Sequence, residues 1–400
     1  MASAKEFITG AFLISLFLLN STTISSVIIF FLLIIIALFS YKSLGNRYFM
    51  PFKLLILYSF VTTFIVNINQ QIEINEYIRY LSLLIIFLFF PFNVKISNKI
   101  LIRIIFSTGI LIVFFQLGSA YGISAINNLI HRFYPIDIDI WASQSINSIS
   151  GLNIDGLYSR FGGIYYNPNI MGQNIVLWCI LFVNIIDLNR HKLRGFRFYV
   201  IGTYSITALS VIISGSRTAM VVFSAFILIK YLYFIKKKKI LVLLFVIFAI
   251  ILSYEFLSNL RIFNISSAIT SPEGSFSIKF KILKDWLFTR FQYDVPFLNV
   301  LFGDFDLGIQ FDSDLGYVLS YFGLIGCFAI LLLIINVFRH SRTKRSNFVV
   351  FLISIGATII MNFRFSIITF VILSIAFTSL NKKLKQSNEK SLVVRTNRKS

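Results

Sequence analysis

Cysteine, histidine, proline and charge are all scarce in this chain of 400 residues. There are two cysteines, three histidines and six prolines. Cys179 and Cys327 lie far apart inside apolar runs, which excludes a disulfide framework and a zinc-type ligand spacing. Both are read as small core or lipid-facing residues. His131, His191 and His340 are scattered and form no cluster. Charged residues make up 13% of the chain, against roughly 25% in soluble domains, so an ordinary soluble globule is excluded. The first apolar run, 7–19, is not followed by a small-residue cleavage site, and it is expected to be a retained span rather than a signal peptide. No internal repeat is visible, and no matched pair of interrupted spans marks an inverted-repeat transporter.

What the chain does have is apolar length. Hydrophobic residues make up 57% and the mean hydropathy is +0.83. Runs such as 24–39, 101–115 and 240–252 approach the roughly 20 apolar residues that one bilayer crossing needs. About twelve spans are expected, at 7–19, 24–41, 52–66, 78–92, 100–117, 170–186, 198–213, 218–235, 240–258, 315–338, 348–361 and 364–381. Some divisions follow from length alone. As one helix, 198–235 would run roughly 57 Å through a core of about 30 Å. The polar Ser214-Gly215-Ser216-Arg217 at its middle therefore reads as a turn. Asn362-Phe363-Arg364 and the residues 20–23 divide two other runs on the same reasoning.

The net charge of +21 invites a nucleic-acid reading, which fails once the charges are placed on this topology. With the N-terminus inside, the cytoplasmic stretches hold most of the 37 basic residues. They include Lys42/Arg47/Lys53, Lys95/Lys99/Arg103, Arg190/Lys192/Arg194/Arg197, 236–239, Arg339/Arg342/Lys344/Arg345 and the tail from Lys382. The only acids there are Glu6, Asp187 and Glu389. That is a positive-inside distribution, and no nucleic acid is needed to explain the excess. The expected organisation is all-α integral membrane: spans in 1–117, a large outer segment 118–169, spans in 170–258, a second outer segment 259–314, spans in 315–381 and a basic cytoplasmic tail 382–400.

Three constellations lie at the outer boundary. The first is Arg160-Phe161-Gly162-Gly163-Ile164-Tyr165-Tyr166-Asn167-Pro168-Asn169, followed by Gly172. Pro168 suits the first turn of a helix and Asn167 is placed to cap it. A helix start near Arg160 favours anions, although a capped helix with a snorkelling arginine explains the pattern as well. The second is Ser214-Gly215-Ser216-Arg217-Thr218. An arginine at membrane depth is costly and is a functional candidate by default, and its fork suits phosphate oxygens. The third is Asp312-Ser313-Asp314, leading to Gly323-Leu324-Ile325-Gly326. Its carboxylates could cap a helix or take a proton from a sugar hydroxyl. Its glycines read as close helix packing. In the preceding loop Lys279, Lys281, Lys284 and Arg290 alternate with Asp285, Trp286, Leu287 and Phe291. The mixture fits a surface helix better than a glycan or head-group site.

Taken in order, these residues resemble the superfamily of O-antigen polymerases and O-antigen ligases. The resemblance rests on Arg160…Gly163…Asn167-Pro168-Asn169, on Ser214-Gly215-Ser216-Arg217-Thr218-Ala219, and on the acidic pair before Gly323-x-x-Gly326. It covers about 150–340 by motif and the rest by span count. Ligases of this group carry a histidine and a small polar residue, nine residues, then G-x-x-G. Here the spacing is kept but Asp312 replaces the histidine, which favours a polymerase. Gly172 stands one residue beyond the arginine-to-glycine spacing common in the polymerases.

The resemblance implies a GT-C-like membrane fold in a bacterial inner membrane, with both termini cytoplasmic and the active face outward. It implies transfer of a growing glycan from undecaprenyl diphosphate onto a lipid-linked repeat unit, for O-antigen or capsule. Arg160, Arg217, Asp312 and Asp314 are the expected catalytic residues. Tyr166, Asn167, Asn169, Ser216, Lys281 and Arg290 are expected to bind substrate. No cofactor or metal is expected. Partners would be undecaprenyl-diphosphate-linked oligosaccharides, membrane lipid, a chain-length regulator and a flippase. The rival from another class is a lipid-linked oligosaccharide flippase.

Overall fold

The computed structural model describes residues 4–19, 23–40, 49–66, 74–92, 96–133, 162–165, 168–234, 297–303, 314–340 and 371–374. Every regular element among them is helical. The α-helices are α1 (Ala4–Leu18), α2 (Thr23–Phe39), α3 (Met50–Val66), α4 (Ile74–Phe89), α5 (Lys99–Ala120), α6 (Ser124–Phe133), α7 (Pro168–Leu188), α8 (Phe196–Ser214), α9 (Arg217–Phe234), α10 (Phe297–Phe302) and α11 (Asp314–His340). A short 3-10 turn, Gly163–Tyr165, precedes α7.

Four stretches are long and apolar enough to cross a bilayer: Lys99–Ala120, Pro168–Leu188, Phe196–Ser214 and Gly316–Val337. Ser26–Phe39, Met50–Ile65, Tyr77–Phe89 and Thr218–Ile227 are shorter apolar helices. The chain is a helical membrane protein. The expected spans 240–258 and 348–361, and nearly all of 364–381, lie outside the described residues.

Helix α7 is the axis of one packing group. Nearly every side chain from Met171 to Ile186 is buried, against α5, α8 and α9. Trp178 stacks on Phe182 and donates its indole N–H to Ile105 O of α5 at 3.1 Å. Helices α1 and α2 continue this group towards α4. The second group is α3, α4, α10 and α11, where Tyr80 stacks on Phe60 and meets Tyr321 and Phe322.

Three features go beyond the sequence reading. Lys53, expected in a cytoplasmic basic stretch, lies in the first turn of α3 and is only 1% exposed. A long aliphatic stem makes such burial tolerable. The segment 118–169, expected as loop, begins with the end of α5 and then α6, and its 162–165 portion is fully packed into the bundle. The segment 259–314 carries α10, which packs on α3 and α11.

Helix α11 is interrupted. Gly323 has φ 60° and ψ −169°, a backbone shape essentially confined to glycine, inside the apolar stretch. A Cβ there would lie 2.3 Å from Leu301 O and 2.4 Å from Gly303 N. Gly303, at φ 97°, would in turn strike Ser320 O at 2.6 Å. Backbone meets backbone at this crossing, and only glycine at both positions permits it. The expectation of close packing at Gly323-x-x-Gly326 holds at Gly326, where a Cβ would stand 2.9 Å from Ser59 Oγ. At Gly323 it gives way to a helix break.

Candidate functional site

Among the described residues, the end of the first constellation, at Pro168 to Gly172, meets the second, at Ser214 to Ala219. Pro168 opens α7, in the first-turn position its missing N–H allows. One turn on, a Cβ at Gly172 would lie 2.7 Å from Ser214 Oγ, 2.7 Å from Ser216 Cβ and 3.0 Å from Ala219 Cβ. The start of α7 is thus pressed against the turn joining α8 to α9, and two helix N-termini stand side by side. Each carries the positive end of a helix dipole.

That turn is built by its own serines. Ser214 Oγ donates to Val211 O at 2.9 Å and accepts from Ser216 N–H at 3.3 Å. Ser216 Oγ accepts from Ala219 N–H at 3.4 Å and caps α9. Ser216 is fully buried, so as placed it shapes the turn. Arg217 is the first residue of α9. Asn169, second in α7, is exposed. Arg160, Tyr166, Asn167, Asp312, Lys281 and Arg290 lie outside the described residues.

The end of the first long segment is moored nearby. A Cβ at Gly163 would meet the backbone of Gln116 at 2.9 Å, and the buried Tyr165 donates its hydroxyl to Phe17 O. Gln116 is itself fixed to α8: Ser210 Oγ donates to Gln116 Oε1 at 2.6 Å, and Gln116 Nε2 donates to Ser210 O at 3.2 Å. Reciprocal bonding of this kind satisfies both partners away from water.

Sequence reasoning missed the polar seam behind this contact. Thr203, Thr207, Ser210 and Ser214 follow helical spacing on one face of α8, and all are fully buried. Gln173 and Asn174 of α7 are buried as well, and Asn174 Oδ1 lacks a hydrogen-bond partner. The spacing was legible in the sequence as a stripe of small polar residues along an apolar helix.

Asp314 begins α11, in the second packing group. The two arginine-bearing motifs and the acidic motif therefore start from different helix clusters. Among the described residues no three His, Cys, Asp or Glu side chains gather as a metal site. No family model matches the chain, and no curated protein is similar to it.

Proposed function

We propose that this protein is a membrane glycosyltransferase that polymerises lipid-linked repeat units of a bacterial surface polysaccharide. In this reading it has about twelve spans in the inner membrane, with both termini inside and the paired helix starts facing out. The acceptor hydroxyl oxygen attacks the anomeric carbon of the donor glycan. The bond from that carbon to the diphosphate breaks, and undecaprenyl diphosphate leaves with the bonding electrons. The hydroxyl proton passes to Asp312 or Asp314. Arg160 and Arg217 meet the charge that grows on the leaving diphosphate.

The observation that carries this reading is the contact of Gly172 with Ser214, Ser216 and Ala219. It supports a shared anion site, because it joins the N-terminal ends of α7 and α9 with Arg217 in the first turn of one of them. The test replaces Arg217 by Ala and, separately, by Lys, and follows the surface glycan on a gel. Loss of one preorganised donor typically costs about 100-fold or more in rate. The Ala variant, made at normal level, is therefore expected to lose long-chain polymer. Full polymer from that variant overturns the assignment. Full recovery with Lys would mean that charge alone suffices, without the guanidinium fork.

A flippase for lipid-linked oligosaccharides is the second reading, and the interruption of α11 at Gly323 favours it. Interrupted helices are common in secondary transporters, and α11 is interrupted at Gly323. A polymerase variant should leave single repeat units displayed on the cell surface, whereas a flippase variant should leave none.

A further inference from the structure

Helix α5 is just long enough to reach across a bilayer, and the chain turns sharply where it ends. Its 22 residues rise about 33 Å, against roughly 30 Å for the hydrocarbon core. At its end Gly122 N–H donates to Ser119 O at 3.1 Å and Ile123 N–H donates to Gly118 O at 2.9 Å, with Gly122 at φ 66°. This is a Schellman turn, which stops a helix and redirects the chain. Helix α6 follows at once, and its 10 residues span only about 15 Å, too short to cross. Within α6 the residue types divide by side. Ile126, Leu129 and Ile130 share one side at helical spacing, and the exposed Ser124 and Asn128 fall opposite. Ile126 packs on α5, where its Cδ1 would be struck by a Cβ at Gly118, and Ile130 is buried. Leu129 is 42% exposed, so protein covers only part of the apolar side.

The neighbouring surface says what covers the rest. Ile110, Phe114 and Tyr121 follow one stripe along α5 and its cap, and all three are exposed. Within an apolar span such a stripe faces acyl chains. At its end a tyrosine suits the head-group level, where the ring meets lipid and the hydroxyl still meets water. In chain order the exposed Tyr121, Ile123 and Leu129 carry this apolar surface from the span into α6. We propose that α6 lies in the plane of the membrane at head-group level, with the lipid surface as its partner. Ile126 and Ile130 face the bundle, Leu129 enters the upper acyl chains, and Ser124 and Asn128 stay in water. A helix with one apolar side placed at this depth buries that side and keeps its polar side hydrated. Helix α6 and Gly163 both pack near the end of α5, on Gly118 and Gln116. Under the proposed function, a seated α6 therefore lies at the depth of the substrate's diphosphate. The seating itself does not depend on that reaction.

The test uses the full chain in vesicles of phosphatidylcholine and phosphatidylglycerol, with Cys179 and Cys327 replaced by Ala. Single cysteines carry a nitroxide label. Power saturation then reads how often each label meets oxygen, which concentrates in lipid, and a nickel chelate, which stays in water. Leu129→Cys and Asn128→Cys are compared with two references: Ile110→Cys on the span, and Lys192→Cys in the exposed basic stretch. All four positions are exposed, so the labels displace no packed side chain. The oxygen-to-nickel ratio at 129 should approach that at 110, and the ratio at 128 should stay near that at 192. Nickel access at 129 equal to that at 192 overturns the proposal, because α6 then stands in water. A label at 129 that neither reagent reaches also overturns it, because protein rather than lipid then covers that side.

Discussion

Gly172 occupies a position where one added carbon has nowhere to go. Its hypothetical Cβ meets Ser214 Oγ and Ser216 Cβ at 2.7 Å, and neither belongs to a long flexible side chain. Gly172→Ala should force α7 away from the α8–α9 turn. Overpacking of this kind costs about 1–3 kcal/mol, so a Tm several degrees lower is expected in a fluorescence-detected melt. Under the proposed function, polymer synthesis should fall further than stability does, because the two helix starts would part. Ser216→Ala removes the cap of α9 without adding bulk. Its expected cost is about 0.5–2 kcal/mol. A larger loss than Gly172→Ala gives would show that the cap, and not the close approach, holds this corner together. The residue types here were readable in the sequence: a proline that opens a helix, serines in a turn, a glycine one turn on. Their mutual contact was not, because nothing local in 168–172 names the segment 214–219 as its neighbour.

At the scale of the element, helix ends set by local chemistry match the sequence reading and the break in α11 does not. Helix α8 ends at Ser214 and α9 starts at Arg217, around the polar residues expected to turn. The interruption at Gly323 depends on Gly303, twenty positions earlier in the chain. The pattern Gly-x-x-Gly announces close packing, but it cannot tell a straight helix from one broken by another backbone. The burial of Lys53 was hidden for a related reason: a lysine at the edge of an apolar run reads as boundary charge until the helix facing it is known. The crossing predicts a sharp contrast. Gly323→Ala sets a Cβ against Leu301 O and Gly303 N, backbone atoms that cannot swing aside, and demands a backbone shape that alanine rarely adopts. Loss of monodisperse protein on size-exclusion chromatography is expected. Leu324→Ala, at an exposed neighbouring position, should change stability by no more than about 0.5 kcal/mol. If both variants purify and melt alike, α10 does not pack on α11 as described.

For the whole molecule, the two packing groups and the charge pattern make one question decisive: which end of the bundle faces out. Tyr121, at the end of α5, is 80% exposed and belongs to the same end as Gly163 and the start of α7. Lys192, between α7 and α8, is exposed at the opposite end, among Arg190, Arg194 and Arg197. Basic residues stay on the cytoplasmic side, so the paired helix starts should face out. With Cys179 and Cys327 replaced by Ala, single cysteines at these two positions test this directly. Tyr121→Cys in intact cells should react with a membrane-impermeant maleimide, and Lys192→Cys should react only after permeabilisation. The reverse pattern would turn the Arg217 corner inward, where repeat units are assembled before export, and would remove the case for outward polymerisation. With the expected pattern in hand, surface display separates the two functional readings. In cells carrying Arg217→Ala, single repeat units should remain visible outside while long chains vanish. If both vanish, the repeat unit is not reaching the outer face, and the broken helix α11 belongs to a transport path rather than to the scaffold of an enzyme.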